Sequence, residues 1–227
     1  MPRSFCITLS LFALFLLPAS TAFGVTIDWT GSVSVVVTDT GGQYTGAAAG
    51  DPFGGTFVVG ATCGGCTVEP QGGGETNYVF PGGTGDLSAI VLGGSRNTMG
   101  SESSINIQDD HPLDPGEVQL VEFFLGNGSA QVGQMIDVWT AASETSNMLL
   151  EWEISLVDLD GAIYDDQSYR GNPPPLSEIE LFIFSVVETD GGGNDVFEAF
   201  GTAQFVPEPH LGALLAAAAL CLVRRRR

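Results

Sequence analysis

Cys63-Gly64-Gly65-Cys66 is the sharpest pair of reactive groups in the chain. Two thiols at this spacing can close a turn as a local disulfide, work as a redox couple, or supply half of a zinc site. The redox use needs a following helix that lowers the pKa of the first thiol. Here the flanks are Thr62 and Thr67-Val68, in a glycine-rich region with no helical pattern. Zinc needs two more ligands, and His111 is the one histidine between residues 25 and 206. In an oxidising compartment the pair therefore reads as a turn disulfide, Cys63 to Cys66, with free thiols or an intermolecular bridge as the alternative.

Acidic loops are the next candidates. Asp158-Leu159-Asp160-Gly161, followed by Asp165-Asp166, begins like a calcium loop, but Ala162 breaks the EF-hand pattern. Asp109-Asp110-His111-Pro112-Leu113-Asp114 is a second acidic cluster. Residues 190–197, with Asp190 and Asp195, resemble one unit of the calcium-binding nonapeptide repeat. That site is built between stacked turns, so a single copy cannot complete it, and a hairpin turn is the expected role. Asp158, Asp160, Asp190 and Asp195 are the candidate metal ligands. Solvated acidic turns are the competing reading. No cofactor is expected, and calcium is the ion these loops could take.

Nothing marks an enzyme. No Gly-x-Ser-x-Gly occurs, and nothing in the sequence positions His111 against a nucleophile. Acids are so abundant that choosing a catalytic pair for glycoside hydrolysis from sequence is arbitrary. Trp29, Trp139, Trp152 and the tyrosines could stack on sugars, but Trp152 lies on the apolar face of an expected strand and reads as core. Asn127-Gly128-Ser129 reads as a turn. Between residues 25 and 206 only Arg96 and Arg170 are basic, against twenty-six Asp and Glu, and the chain has no lysine. Such a field repels nucleic acid and anionic lipid.

The elements that would position these groups are strands. Runs at 33–38, 55–61, 87–92, 104–108, 118–125, 149–157, 179–187 and 197–206 are rich in β-branched or apolar residues. Glycine clusters such as Gly72-Gly73-Gly74 and Gly191-Gly192-Gly193 separate them. Leu150, Trp152, Ile154 and Leu156 alternate with Glu151, Glu153 and Ser155, so one face should be buried and the other wet. Residues 179–187 are apolar on both faces, as in a central strand. The expectation is an all-β domain, an antiparallel β-sandwich of jelly-roll or Ig-like type, over residues 25–205, with helix confined to the termini.

Both termini read as addresses. Arg3, an apolar stretch at 7–17, Pro18 and small residues to Gly24 form a signal peptide over residues 1–24, with cleavage after Ala22 or Gly24. Residues 206–227 hold Val206, Pro207, Glu208 and Pro209, then an apolar run at 211–223, then Arg224, Arg225, Arg226 and Arg227. The two prolines stop helix from propagating backward and leave an accessible extended segment. The apolar run is thirteen residues, roughly 20 Å of helix against the roughly 30 Å hydrocarbon core of a bilayer. Thinning of the bilayer and snorkelling arginines can absorb that mismatch. The arginines favour a cytoplasmic C-terminus. The competing reading is a buried C-terminal helix.

This tail resembles the PEP-CTERM sorting signal, whose carriers are processed by an exosortase-type protease. The resemblance implies an exported protein, held transiently in the inner membrane by its C-terminal helix, cut near residues 206–209, then kept at the cell surface or released. It also implies an association with exopolysaccharide. Gly55-Thr56-Phe57 and the later stretch from Ile154 through Asp158-Leu159-Asp160-Gly161 to Phe182 diffusely resemble other carriers of the signal. The expectation is a non-enzymatic protein of the cell envelope or extracellular matrix that binds no nucleic acid. The alternative is a carbohydrate-binding or calcium-dependent adhesion module. An open face with exposed aromatics would favour binding, and a cleft of convergent carboxylates near His111 would favour an enzyme.

Overall fold

The computed structural model describes residues 25–206 apart from Gly82, Gly93 and Met148. The signal segment and the tail from Pro207 onward, including Glu208, Pro209 and Arg224 to Arg227, lie outside the described residues. The domain is all-β, as expected. Its strands are β1 (Val25–Asp39), β2 (Pro52–Val59), β3 (Thr67–Gly72), β4 (Glu75–Pro81), β5 (Thr84–Val91), β6 (Gly94–Met99), β7 (Glu102–Pro112), β8 (Met135–Glu144), β9 (Leu150–Asp158), β10 (Leu181–Thr189) and β11 (Asp195–Phe205). All pair antiparallel in one eleven-stranded sheet of order β3-β4-β7-β8-β9-β10-β11-β1-β2-β5-β6. β2 and β5 touch β7 and β8 although they are far apart in that order, so the sheet curls back over a shared core.

The inner face supplies that core. Trp29, Trp139 and Trp152 are each at most 2% exposed, so none is a sugar-stacking platform. The Trp29 ring lies 5.2 Å from Phe184, which in turn lies 5.5 Å from Phe53. Gly31 and Gly201 make room for the Phe184 ring, because a Cβ at either would collide with it and with neighbouring backbone. Leu150, Trp152, Ile154 and Leu156 are buried together, as the alternation predicts. β10 is central, between β9 and β11. The long loop 159–180 closes over one region of the core. It is tied down by the Tyr78 hydroxyl of β4, which donates to Gln167 O at 2.5 Å, by Trp139 Nε1 of β8, which donates to Arg170 O at 2.9 Å, and by its own Tyr169 hydroxyl, which donates to Gly60 O.

One expected strand is a helix. Residues 118–125 belong to α1 (Pro115–Leu125), so helix is not confined to the termini. A single 3-10 turn also forms at Leu176–Glu178. The reason for α1 is local. Asp114 accepts from the N–H groups of Gly116 and Glu117 at 2.7 and 2.8 Å, and Glu117 accepts from Asp114 N at 2.7 Å, which completes a capping box ahead of Pro115. Val118, Val121 and Phe124 recur at helical spacing and face one way. With Leu120 they pack on Ile136, Val138, Val157, Leu181 and Ile183 from the outer face of β8, β9 and β10. Beneath α1 the sheet is therefore apolar on both sides.

Four strands, β3, β4, β6 and β8, lie outside the expected runs. β3 and β6 are the two sheet edges and are polar. β8 is almost wholly buried, so it shows no alternation to read.

Candidate functional site

The outer face beside α1 carries a groove of about 310 Å3. Strand register sets its floor in rows. Asn77, Asn106, Thr140 and Ser155 lie side by side across β4, β7, β8 and β9. The adjoining row is Ser104, Ala142, Glu153 and Ser185. The row beyond holds Glu102, Glu144 and Glu151, and continues through Val187 to Glu198. On the other side Val138, Val157 and Leu181 run beneath α1, whose Leu120, Val121 and Glu117 form a wall.

Hydrogen bonds fix part of this surface. Asn106 Nδ2 donates to Glu75 Oε1 at 2.7 Å. Since an amide nitrogen must face a carboxylate, this sets the orientation of the Asn106 side chain. Its Oδ1, and that of Asn77, are buried without a donor. The hydroxyls of Thr140 and Ser155 bond each other at 2.9 Å.

The carboxylates opposite are crowded. Burial pushes the Glu153 carboxyl up to about 7, helped by the charge of Glu151 and opposed by a hydrogen bond from Ser185. Burial also raises Glu151. Glu144 is raised by burial and then by the charges of Glu151 and Glu102. Glu198 is raised by burial and by Asp195. Like charges directly opposite on neighbouring strands repel, so this face holds unrelieved negative charge. Among the described residues no arginine lines the groove: Arg96 is on β6, and Arg170 meets Asp166 at 3.3 Å in the loop.

The residues singled out from sequence are elsewhere. Cys63 and Cys66 are joined as a disulfide, with Cα atoms 5.1 Å apart. Asp158 is buried at the end of β9. Its Oδ1 accepts from Asp160 N, and its Oδ2 accepts from Ala162 N and Ile163 N. Burial works to raise its pKa, but these donors and a hydrogen bond with Asp160 outweigh it and hold the carboxyl low. Asp160 is raised by that same hydrogen bond and by the Asp158 charge. Asp190 closes the β10–β11 turn, accepting from the N–H groups of Gly192 and Asn194, which lower its pKa. Asp195 opens β11 in that turn. The two acidic pairs sit at opposite ends of β10, whose nine residues span roughly 30 Å. They make two self-satisfied turns rather than one shared site. Among the described residues no group of three His, Cys, Asp or Glu is placed to hold a metal.

Asp137, buried on β8, plays a similar part. Its Oδ1 accepts from Asp110 N at the β7 bulge and its Oδ2 from Tyr164 N. His111 bonds Glu117 at 3.0 Å and so belongs to the helix start. Val206 ends the described chain, half exposed. Among the described residues no helix is long and apolar enough to cross a membrane.

A second hollow, about 350 Å3, lies over Trp29, Thr30 and residues 52–55. It has no ionisable side chain in its lining, so the outer-face groove is the better candidate. No protein-family model, no curated protein and no solved structure matches this chain.

Proposed function

We propose that this chain is an exported, non-enzymatic protein of the cell envelope or extracellular matrix that holds exopolysaccharide in the outer-face groove. The observation that carries this is the groove floor. Amides, hydroxyls and carboxylates line up at strand spacing beside an apolar helix wall, which is the mixture that hydrogen-bonds sugar hydroxyls and covers a ring face. Its volume, about 310 Å3, is at the low end for small-molecule sites, about 300–1,000 Å3. In this reading the curled sheet works as a β-sandwich, and the packing of β2 and β5 on β7 and β8 supports it. The tail motif at residues 206–209 supports delivery by an exosortase-type protease, with the inner membrane as a transient stop.

A hydrolase is the second reading, favoured by the Glu153 carboxyl with its pKa near 7 in a groove. Glu151 and Glu153 stand on one strand and one face. Glu75 and Glu117 also line the groove, but Glu75 is held by Asn106 and Glu117 by Asp114 N and His111. Glycoside hydrolysis needs two free carboxyls, one on either side of the bond. The geometry therefore favours binding. A glycan array probed with the protein, with and without calcium, tests this. Retention of neutral or amine-bearing polysaccharide without release of reducing ends is expected. New reducing ends that disappear in Glu153→Gln would establish the enzyme instead.

A further inference from the structure

We propose that the groove takes an internal stretch of an extended, β-linked polysaccharide with equatorial hydroxyls, laid across the strands with one ring stacked on Phe200, an inference that rests on the polysaccharide reading above. The first observation is length. The lining runs from Glu75 and Asn77 on β4, through β7, β8, β9 and β10, to Phe200 on β11. Those strands are consecutive in the sheet, so the floor spans roughly 24 Å at about 4.8 Å per strand, well beyond one sugar ring. α1 follows the same direction, since it begins just past β7 and packs on Val138 of β8, Val157 of β9 and Leu181 of β10. Among the described residues, the lining outside the strands is Leu113 with Glu117, Leu120 and Val121 of α1. The groove therefore has a wall along one side and no cap at β4 or β11, and a long chain can pass through it.

The second observation is Phe200 itself. Among the described residues it is the one aromatic in the lining. Register puts it on the outer face, in one row with Ser104, Ala142, Glu153 and Ser185. Phe184 and Phe197 on the same two strands, β10 and β11, face inward and are fully buried, whereas Phe200 keeps part of its surface open. The core does not use this ring. A pyranose whose hydroxyls are all equatorial has two C–H faces and a polar rim. Its face covers a phenyl ring, and its rim meets polar side chains beside it. Ser104 and Glu153 supply such groups in the Phe200 row, and Thr140 and Ser155 supply them in the next. An axial hydroxyl pressed on the phenyl ring would lose its water without gaining a partner. β linkage between equatorial positions keeps successive rings in one extended ribbon, which suits a straight floor. An α-linked chain coils away from it.

Calorimetric titration of the full chain in a zwitterionic detergent tests the inference. The probes are cello-oligosaccharides from dimer to hexamer, cellohexaose reduced at its end, maltohexaose and β-linked mannohexaose. Affinity should rise roughly tenfold or more from cellobiose to cellohexaose. Reducing the chain end should change nothing, because the site holds the interior of the chain. Maltohexaose and mannohexaose should bind roughly tenfold more weakly than cellohexaose. Phe200→Leu keeps an apolar side chain without the ring and should weaken cellohexaose binding by roughly fivefold, while Phe200→Tyr should hold wild-type affinity. Equal affinity of wild type and Phe200→Leu would overturn the inference, and so would equal losses in the Leu and Tyr variants, which would make Phe200 a packing residue. Affinity that did not grow with length, or that needed the free chain end, would overturn it as well. Maltohexaose or mannohexaose matching or exceeding cellohexaose would overturn it and leave the polysaccharide reading standing. If no oligosaccharide bound, the polysaccharide reading itself would fall.

Discussion

Replacing Glu153 with glutamine should stabilise the protein above neutral pH and leave it unchanged in mild acid. Burial first, then the Glu151 charge, raises the carboxyl from 4.5 to about 7. At about 1.4 kcal/mol per pH unit, ionising it in place costs about 3 kcal/mol more than in water. The side chain is partly open at the groove, and screening there reduces the figure to about 1–2 kcal/mol. Between 4.5 and about 7 the native state holds a proton that the unfolded chain has released, so stability falls as pH rises through that window. Glu144, Glu151 and Glu198 are also raised and act in the same direction. Urea unfolding of wild type and Glu153→Gln across this range is the assay. The variant should gain about 1–2 kcal/mol over wild type at about pH 8, and the two curves should converge near pH 4.5. A difference that did not change with pH, or a variant less stable at alkaline pH, would refute the account of a desolvated carboxylate.

Other perturbations separate the structural roles. Asp158→Ala removes the acceptor of three backbone N–H groups and should cost about 3 kcal/mol or more, whereas Asp114→Ala removes a helix cap and should cost about 1 kcal/mol. Equal losses in urea unfolding would contradict that ranking. The Cys63→Ser, Cys66→Ser double variant should fold and lose about 2 kcal/mol or less, because the bridged loop is short; failure to fold on thermal melting would show a larger role for the bridge. Alanine at Pro207, Glu208 and Pro209 should leave a full-length precursor in the membrane fraction of the native host, and replacing Arg224 to Arg227 should impair orientation or retention before cleavage. A mature protein that still carried residues 211–227 by mass spectrometry would make the tail an ordinary anchor.

Much of the fold was legible because period-two alternation survives where one face is wet. β9 shows it in its first half: Leu150, Trp152, Ile154 and Leu156 enter the core and Glu151 and Glu153 face out, whereas Ser155 and Val157 on that same outer face are buried. β8 left no such mark, since it is buried beneath α1 on one side and in the core on the other. The helix was hidden by content. Residues 118–125 are apolar enough for a strand, and the deciding signal was upstream, in Asp114-Pro115-Gly116-Glu117. The groove was half visible. Its acids and amides sit at alternate positions in β4, β7 and β9, but only register across β8 brings them together. Composition pointed instead to the aspartate turns, where the carboxylates hold backbone N–H groups in place.

The central claim is that the outer-face groove is the working surface. Amide chemical-shift mapping of the labelled protein during titration with oligosaccharides tests it directly. The account predicts perturbations at Asn77, Asn106, Thr140, Glu153 and Ser155 and along the facing side of α1. Shifts centred on the hollow at Trp29 and Gly55, or no shift with any oligosaccharide, would contradict it.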